Sequence, residues 1–128
     1  LKFEMQSDSL LEFDAKLLPT GKLEAYKQFH EAKLFGSIEL DNCFLLNRAL
    51  QGPACRVINE KDKIQLAIYP DKTYPYLQVY TPPHRKSVAI ENLSAAPDAF
   101  NNHIGLMIME PNETQSFSTT YKVEALVG

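Results

Sequence analysis

A chain of 128 residues with 45% hydrophobic and 23% charged residues is long enough to bury one core and too apolar to be disordered. Its formal net charge of -3, with 13 basic residues scattered along the sequence, leaves no electrostatic footprint for a nucleic-acid backbone, so neither DNA nor RNA is an expected partner. No apolar run approaches the roughly 20 residues that cross a bilayer, and the N-terminus has neither the charged region nor the apolar stretch of a signal peptide, so no membrane partner is expected and the chain reads as soluble.

The elements run strand after strand. LLEFDAKLLPTG (residues 10–21) reads as an extended segment closed by Pro19 and Gly21. Leu23 to Leu34 has room for a short helix, although Tyr26, Phe29 and Leu34 make no long stripe. GSIELDNCFLLN (36–47) is a strand bounded by Gly36 and Asn47, and ACRVINEKDKIQLAIYPD (54–71) is a hairpin around the charged turn Asn59 to Lys63. YPYLQVYTPP (74–83) is a strand fenced by prolines at both ends. IGLMIM (104–109) leads into the turn Glu110-Pro111-Asn112-Glu113. TQSFSTTYKVEAL (114–126) then alternates, with Phe117, Thr119, Tyr121 and Val123 on one face, as a half-buried strand does. With no repeat, low-complexity tract or linker, residues 1–128 form a single, mostly β domain or fragment, a sandwich or barrel.

Cys43 and Cys55 lie 12 positions apart, without metal-ligand or CxxC spacing, and read as buried free thiols. That usage points to a reducing, cytoplasmic compartment, with a periplasmic location as the alternative. Asp71, Asp98 and Glu110 are scattered acids with no metal-ligand spacing, so no metal site is expected.

Three strands offer polar side chains that alternation gathers onto faces. Asp41 shares a face with Cys43 and Leu45, Gln78 with Tyr76 and Tyr80, and Glu91 with Ser87 and Ala89. Carboxylates and amides beside aromatic and apolar surface suit a sugar, whose hydroxyls need acceptors and whose C–H face packs on rings. Ordinary polar groups at sheet ends fit the same spacing.

SVAIENLSAAPDAFNN (87–102) separates the two readings, because it resembles the signature of the aldose 1-epimerase (mutarotase) family, in which an apolar strand ends in the catalytic glutamate and a Pro-Asp-Ala-x-Asn stretch follows. Further matches occur in order: LLPTG (17–21), LDNCFLL (40–46) with the family's Asp-x-x-Phe arrangement, LQVYTP (77–82), and EPNETQSF (110–117), similar to the family's Pro-Gly-Glu turn. The resemblance implies the β-supersandwich fold, with this chain as its C-terminal half, and cofactor-free interconversion of the α and β anomers of a free aldose such as galactose or glucose. By the same resemblance Glu91 is the general base that takes the proton of the C1 hydroxyl, while Asp41 and Gln78 contact sugar hydroxyls. A carboxylate emerging from Val88-Ala89-Ile90 is expected to be partly desolvated, which suits a base. Arg85, in the PPHRKS loop, is a further candidate for a sugar hydroxyl or a phosphate.

The departures are equally specific. The family's acid histidine, with further sugar-binding histidine and arginine residues, precedes the LPTG segment, and none of His30, His84 or His103 matches the acid motif. Asn112 stands where the family turn has glycine, a change that a positive φ tolerates. The chain opens on Leu1, as after a cut or at a chosen boundary, and is expected to pair with the missing N-terminal half or with a second copy. A non-catalytic carbohydrate-binding domain and a hexose-6-phosphate 1-epimerase are the alternatives.

Overall fold

The computed structural model describes residues 1–49 and 51–127. Their strands are β1 (Lys2–Met5), β2 (Ser7–Phe13), β3 (Pro19–Ala25), β4 (Lys33–Leu34), β5 (Asp41–Leu46), β6 (Cys55–Asn59), β7 (Ile64–Pro70), β8 (Tyr76–Tyr80), β9 (Ala89–Leu93) and β10 (Thr119–Ala125), with one helical turn, α1 (Ala99–Asn102). They form two five-stranded sheets, ordered β10-β7-β6-β1-β4 and β3-β2-β5-β8-β9, in which every strand pair is antiparallel. The expected sandwich is therefore present.

One core lies between the sheets. Phe3, Met5, Cys55 and Ile68 come from the first sheet and Leu10, Phe44, Leu46, Leu77 and Val79 from the second, with Phe29, Phe35 and Leu40 supplied by connections. Phe3 stacks on Phe35 with ring centroids 5.1 Å apart and meets Phe29 edge-on at 5.3 Å. Each such buried side chain contributes about 1.5–3 kcal/mol. The second sheet has a smaller apolar cluster on its other face, where Leu11, Cys43 and Tyr76 meet Ala96 and Ile104. This explains why β5 buries consecutive residues Cys43 and Phe44, since both of its faces are covered.

Segment 94–106, which provides that cover, approaches the sheet closely at Gly105. Gly105 has φ +73, and a Cβ there would stand 3.0 Å from Tyr76 Cε2 and 3.2 Å from Ala95 Cα. Glycine alone meets both conditions without strain.

Several local expectations change. Pro19 and Gly21 lie inside β3 instead of closing a strand. The turn is made earlier by Asp14, whose Oδ1 accepts from Lys16 N at 2.8 Å and Leu18 N at 3.1 Å, with Leu17 at φ +61. No helix forms between Leu23 and Leu34, because Leu23–Ala25 belongs to β3 and Phe29 is drawn into the core, its carbonyl accepting from Met5 N at 2.8 Å. IGLMIM leads into the turn as read, with Glu113 N donating to Glu110 O at 3.1 Å. β10 is not half-buried: it forms an edge of its sheet, and Tyr121 and Val123 are 60% and 67% exposed. The β6–β7 hairpin stands as read, with Asn59 opposite Ile64. Asn112 takes φ +66, the conformation for which asparagine substitutes for glycine. Among the described residues no helix is long and apolar enough to cross a membrane.

Candidate functional site

Register brings the candidate residues together. Gln78 on β8 pairs directly with Cys43 on β5 and with Glu91 on β9, so all three side chains leave the outer face of the second sheet. Asp41 lies two residues along β5 from Cys43 and returns to that face, opposite Tyr80. Gln78 Nε2 donates to Asp41 Oδ1 at 3.0 Å. Because a carboxylate only accepts, this contact assigns the nitrogen to the Asp41 side of the amide. Gln78 Oε1 is buried and has no hydrogen-bond partner among the described residues.

Asp41, Gln78 and Glu91 line one cavity of about 380 Å³, whose remaining wall is apolar: Phe13, Leu17 and Leu93 with Ala95, Ala96 and Pro97. Its volume falls within the usual range for small-molecule sites, about 300–1,000 Å³. Cys43 does not line it but is fully buried in the cluster that includes Ala96, and burial pushes its thiol up to about 12, so it is neutral at physiological pH.

The wall after Glu91 is held by its own side chains. Asn102 Nδ2 donates to Pro97 O at 2.7 Å, and Asn102 Oδ1 accepts from Ile104 N at 2.8 Å. Asn101 Nδ2 donates to Asp98 Oδ1 at 2.6 Å, while Asp98 itself takes φ +61. The paired asparagines of the signature thus brace the turn that closes the cavity. Sequence reasoning left them without a role; their readiness to bond nearby backbone was the available signal.

Two expectations are corrected. Arg85 does not line this cavity, because the turn closed by its N–H to Pro82 O at 2.9 Å, with Arg85 at φ +60, carries the side chain elsewhere. Its guanidinium donates through Nη2 to Gly36 O at 2.7 Å and Ile38 O at 2.8 Å, tying that turn to the approach to β5. Glu91 is exposed, not partly desolvated by the preceding run. Alternation sends Ile90 against the core and Glu91 out to the open face.

The histidines lie elsewhere too. His30 Nε2 meets Asp8 Oδ1 and Ser7 O, His84 Nδ1 accepts from Lys86 N at 3.0 Å, and His103 follows α1 at φ +60. None lines the cavity.

A family model described as aldose 1-epimerase matches residues 1–122. The fold is similar to that of a GalM/aldose epimerase homologue from C. elegans, 21% identical with a TM-score of 0.85, over 98% of this chain and 46% of that one. It is also similar to that of a galactose mutarotase-like protein from Clostridium acetobutylicum, 16% identical with a TM-score of 0.84, over 98% of this chain and 41% of that one. The chain therefore spans less than half the length of either protein. No curated protein matches it.

Proposed function

The chain belongs to the aldose 1-epimerase family, and from that premise we propose that it carries the general base and two sugar-contacting groups of an enzyme interconverting the α and β anomers of a free hexose such as galactose or glucose. One observation carries the reading: the carboxylates of Asp41 and Glu91 and the amide of Gln78, drawn from three strands, line a single cavity of about 380 Å³.

In this mechanism the Glu91 carboxylate takes the proton of the C1 hydroxyl. The C1–O5 bond breaks, C1 becomes a carbonyl carbon, and O5 receives a proton from a general acid. Rotation about C1–C2 presents the other face of the carbonyl to the O5 hydroxyl. Reclosure then returns both protons and inverts the anomeric centre. Asp41 and Gln78 hold hydroxyls of the sugar, the carboxylate by accepting and the amide through its remaining N–H. The apolar wall packs the C–H face of the ring.

In this reading the general acid is the histidine that the family resemblance implies, supplied by polypeptide beyond these residues, and none of the chain's own histidines lines the cavity. Exposed apolar side chains support a further partner: Phe100 is 88% and Ile108 80% exposed, and an apolar groove lined by Phe100, Met107, Met109 and Phe117 shares Ala95 with the cavity. The partner in this reading is the remainder of the family domain, consistent with relatives more than twice as long. A second copy of the chain is the competing occupant, and light scattering distinguishes the two. The two carboxylates of the cavity suit the hydroxyls of a free sugar.

The test is polarimetry of freshly dissolved α-D-galactose and α-D-glucose with the full-length protein and its Glu91→Gln variant. Acceleration that falls roughly 100- to 10,000-fold on substitution is expected. No acceleration by the full-length protein overturns the enzyme reading and leaves a sugar-binding domain. Full activity in Glu91→Gln removes Glu91 as the base.

A further inference from the structure

We infer that Asn92, the neighbour of Glu91 on the opposite face of β9, is a positioning residue that aims the Glu91 carboxylate by bonding β9 to the other sheet through Thr119. The inference rests on the reading of Glu91 as the base.

Among the described residues β9 is an edge strand, hydrogen-bonded in its sheet to β8 alone. Edge strands have more freedom to twist than central ones, and a twist of β9 redirects Glu91. The inner face of β9 opposes that twist. Asn92 Nδ2 donates to Thr119 Oγ1 at 3.1 Å, across the sandwich to the first residue of β10. Asn92 is placed there among apolar groups, with fully buried Leu77 as its strand partner. Its Oδ1 is buried without a partner among the described residues. An amide in such a place is a poor choice for stability alone, since an apolar side chain of similar size leaves no polar atom unmet. What the amide adds is a directional bond.

Thr119 is a firm anchor for that bond. It pairs with Pro70 in the first sheet, and the residue before it is locked from two sides: Asp71 N donates to Ser118 O at 2.9 Å, and Ser118 N donates to Asp71 Oδ2 at 3.0 Å. Asp71, Ser118, Thr119 and Asn92 thus form a continuous chain of contacts that ends one peptide from Glu91.

The experiment uses the full-length protein with Thr119→Val, Thr119→Ser, Asn92→Leu and the Asn92→Leu/Thr119→Val double variant. Each is assayed for kcat and KM in mutarotation, for thermal stability, and for hydrogen exchange of the 89–93 amides. Loss of the bond is expected to lower kcat roughly 10-fold with KM nearly unchanged, in keeping with the sensitivity of catalysis to sub-ångström misplacement. Thr119→Ser, which keeps the hydroxyl, restores the rate, and the double variant is no worse than either single one. Asn92→Leu is the decisive variant, because it is expected to melt no lower than wild type while losing rate, a separation that a merely structural role does not produce. Unchanged kcat in Asn92→Leu, or unchanged exchange over 89–93, overturns the inference. If the unsubstituted protein fails to accelerate mutarotation, the epimerase reading is what has failed, and the exchange rates alone then decide whether Asn92 restrains β9.

Discussion

Gln78 turns its amide nitrogen onto Asp41 Oδ1 at 3.0 Å, joining two neighbouring strands on the face that also carries Glu91. The bond has one charged partner, so it is stronger than a neutral one, and it fixes the orientation of the amide. Hydrogen bonds to charged groups contribute about 1.5–3 kcal/mol, and each 1.4 kcal/mol is tenfold in affinity. Asp41→Ala in the full-length protein is therefore expected to raise KM roughly 10- to 100-fold, with a smaller effect on kcat. Steady-state polarimetry over a range of sugar concentrations checks this, and an unchanged KM removes Asp41 from the sugar site.

Gly105 is expected to tolerate no side chain. Gly105→Ala meets both a φ of +73 and a 3.0 Å approach to the Tyr76 ring, whose position behind the cavity's apolar wall is fixed by the outer cluster. A cost of about 1–3 kcal/mol follows from strain of this kind. Thermal melts should show a lower midpoint for Gly105→Ala.

Acid should weaken the anchor around Ser118. Side-chain and backbone hydrogen bonds from Thr73, then the Ser118 N–H and the nearby Arg48 charge, hold the Asp71 carboxyl below its ordinary value of 3.8. A carboxyl whose folded-state pKa is depressed contributes stability above its unfolded-state pKa and loses it as pH falls through the folded-state pKa. The stability difference between the wild-type protein and Asp71→Asn is thus expected to be full at neutral pH and to shrink once pH drops below about 3.8. Urea titrations at several pH values measure it. A difference that is constant with pH argues against the charge.

Both thiols should be inert while the protein is folded. Cys43 and Cys55 are free and buried, and burial pushes each up to about 12, so almost no thiolate exists at pH 8. A thiol-reactive dye at that pH is expected to label neither residue in the native state and both in denaturant. Rapid native labelling of Cys43 shows that the outer apolar cluster around it opens.

The sandwich itself was legible in short strands, proline fences and the Asn59 to Lys63 turn, because alternation and turn chemistry are local properties. The missed helix and the misplaced end of the first long strand have a different origin. Phe29 is pulled into a core built from residues far along the chain, and the Asp14 side chain closes the turn ahead of Pro19 and Gly21. Neither competition is decided within the segment concerned.

For the site, the sequence by itself determined the family, the apolar strand that ends at Glu91, and the side chains Asp41, Gln78 and Glu91 as one set of candidates. Tertiary structure decided that those three share one cavity and that Arg85 does not join them, being held instead by Gly36 and Ile38 carbonyls. It also decided the tasks of Asn92, Asn101 and Asn102, whose amides look interchangeable in sequence but bond in turn to the opposite sheet, to Asp98, and to Pro97 and Ile104. The physical reason is that side-chain alternation along a strand is encoded locally. Strand register and the partner of a polar group emerge only when distant segments pack, and they determine where each such group spends its hydrogen bonds.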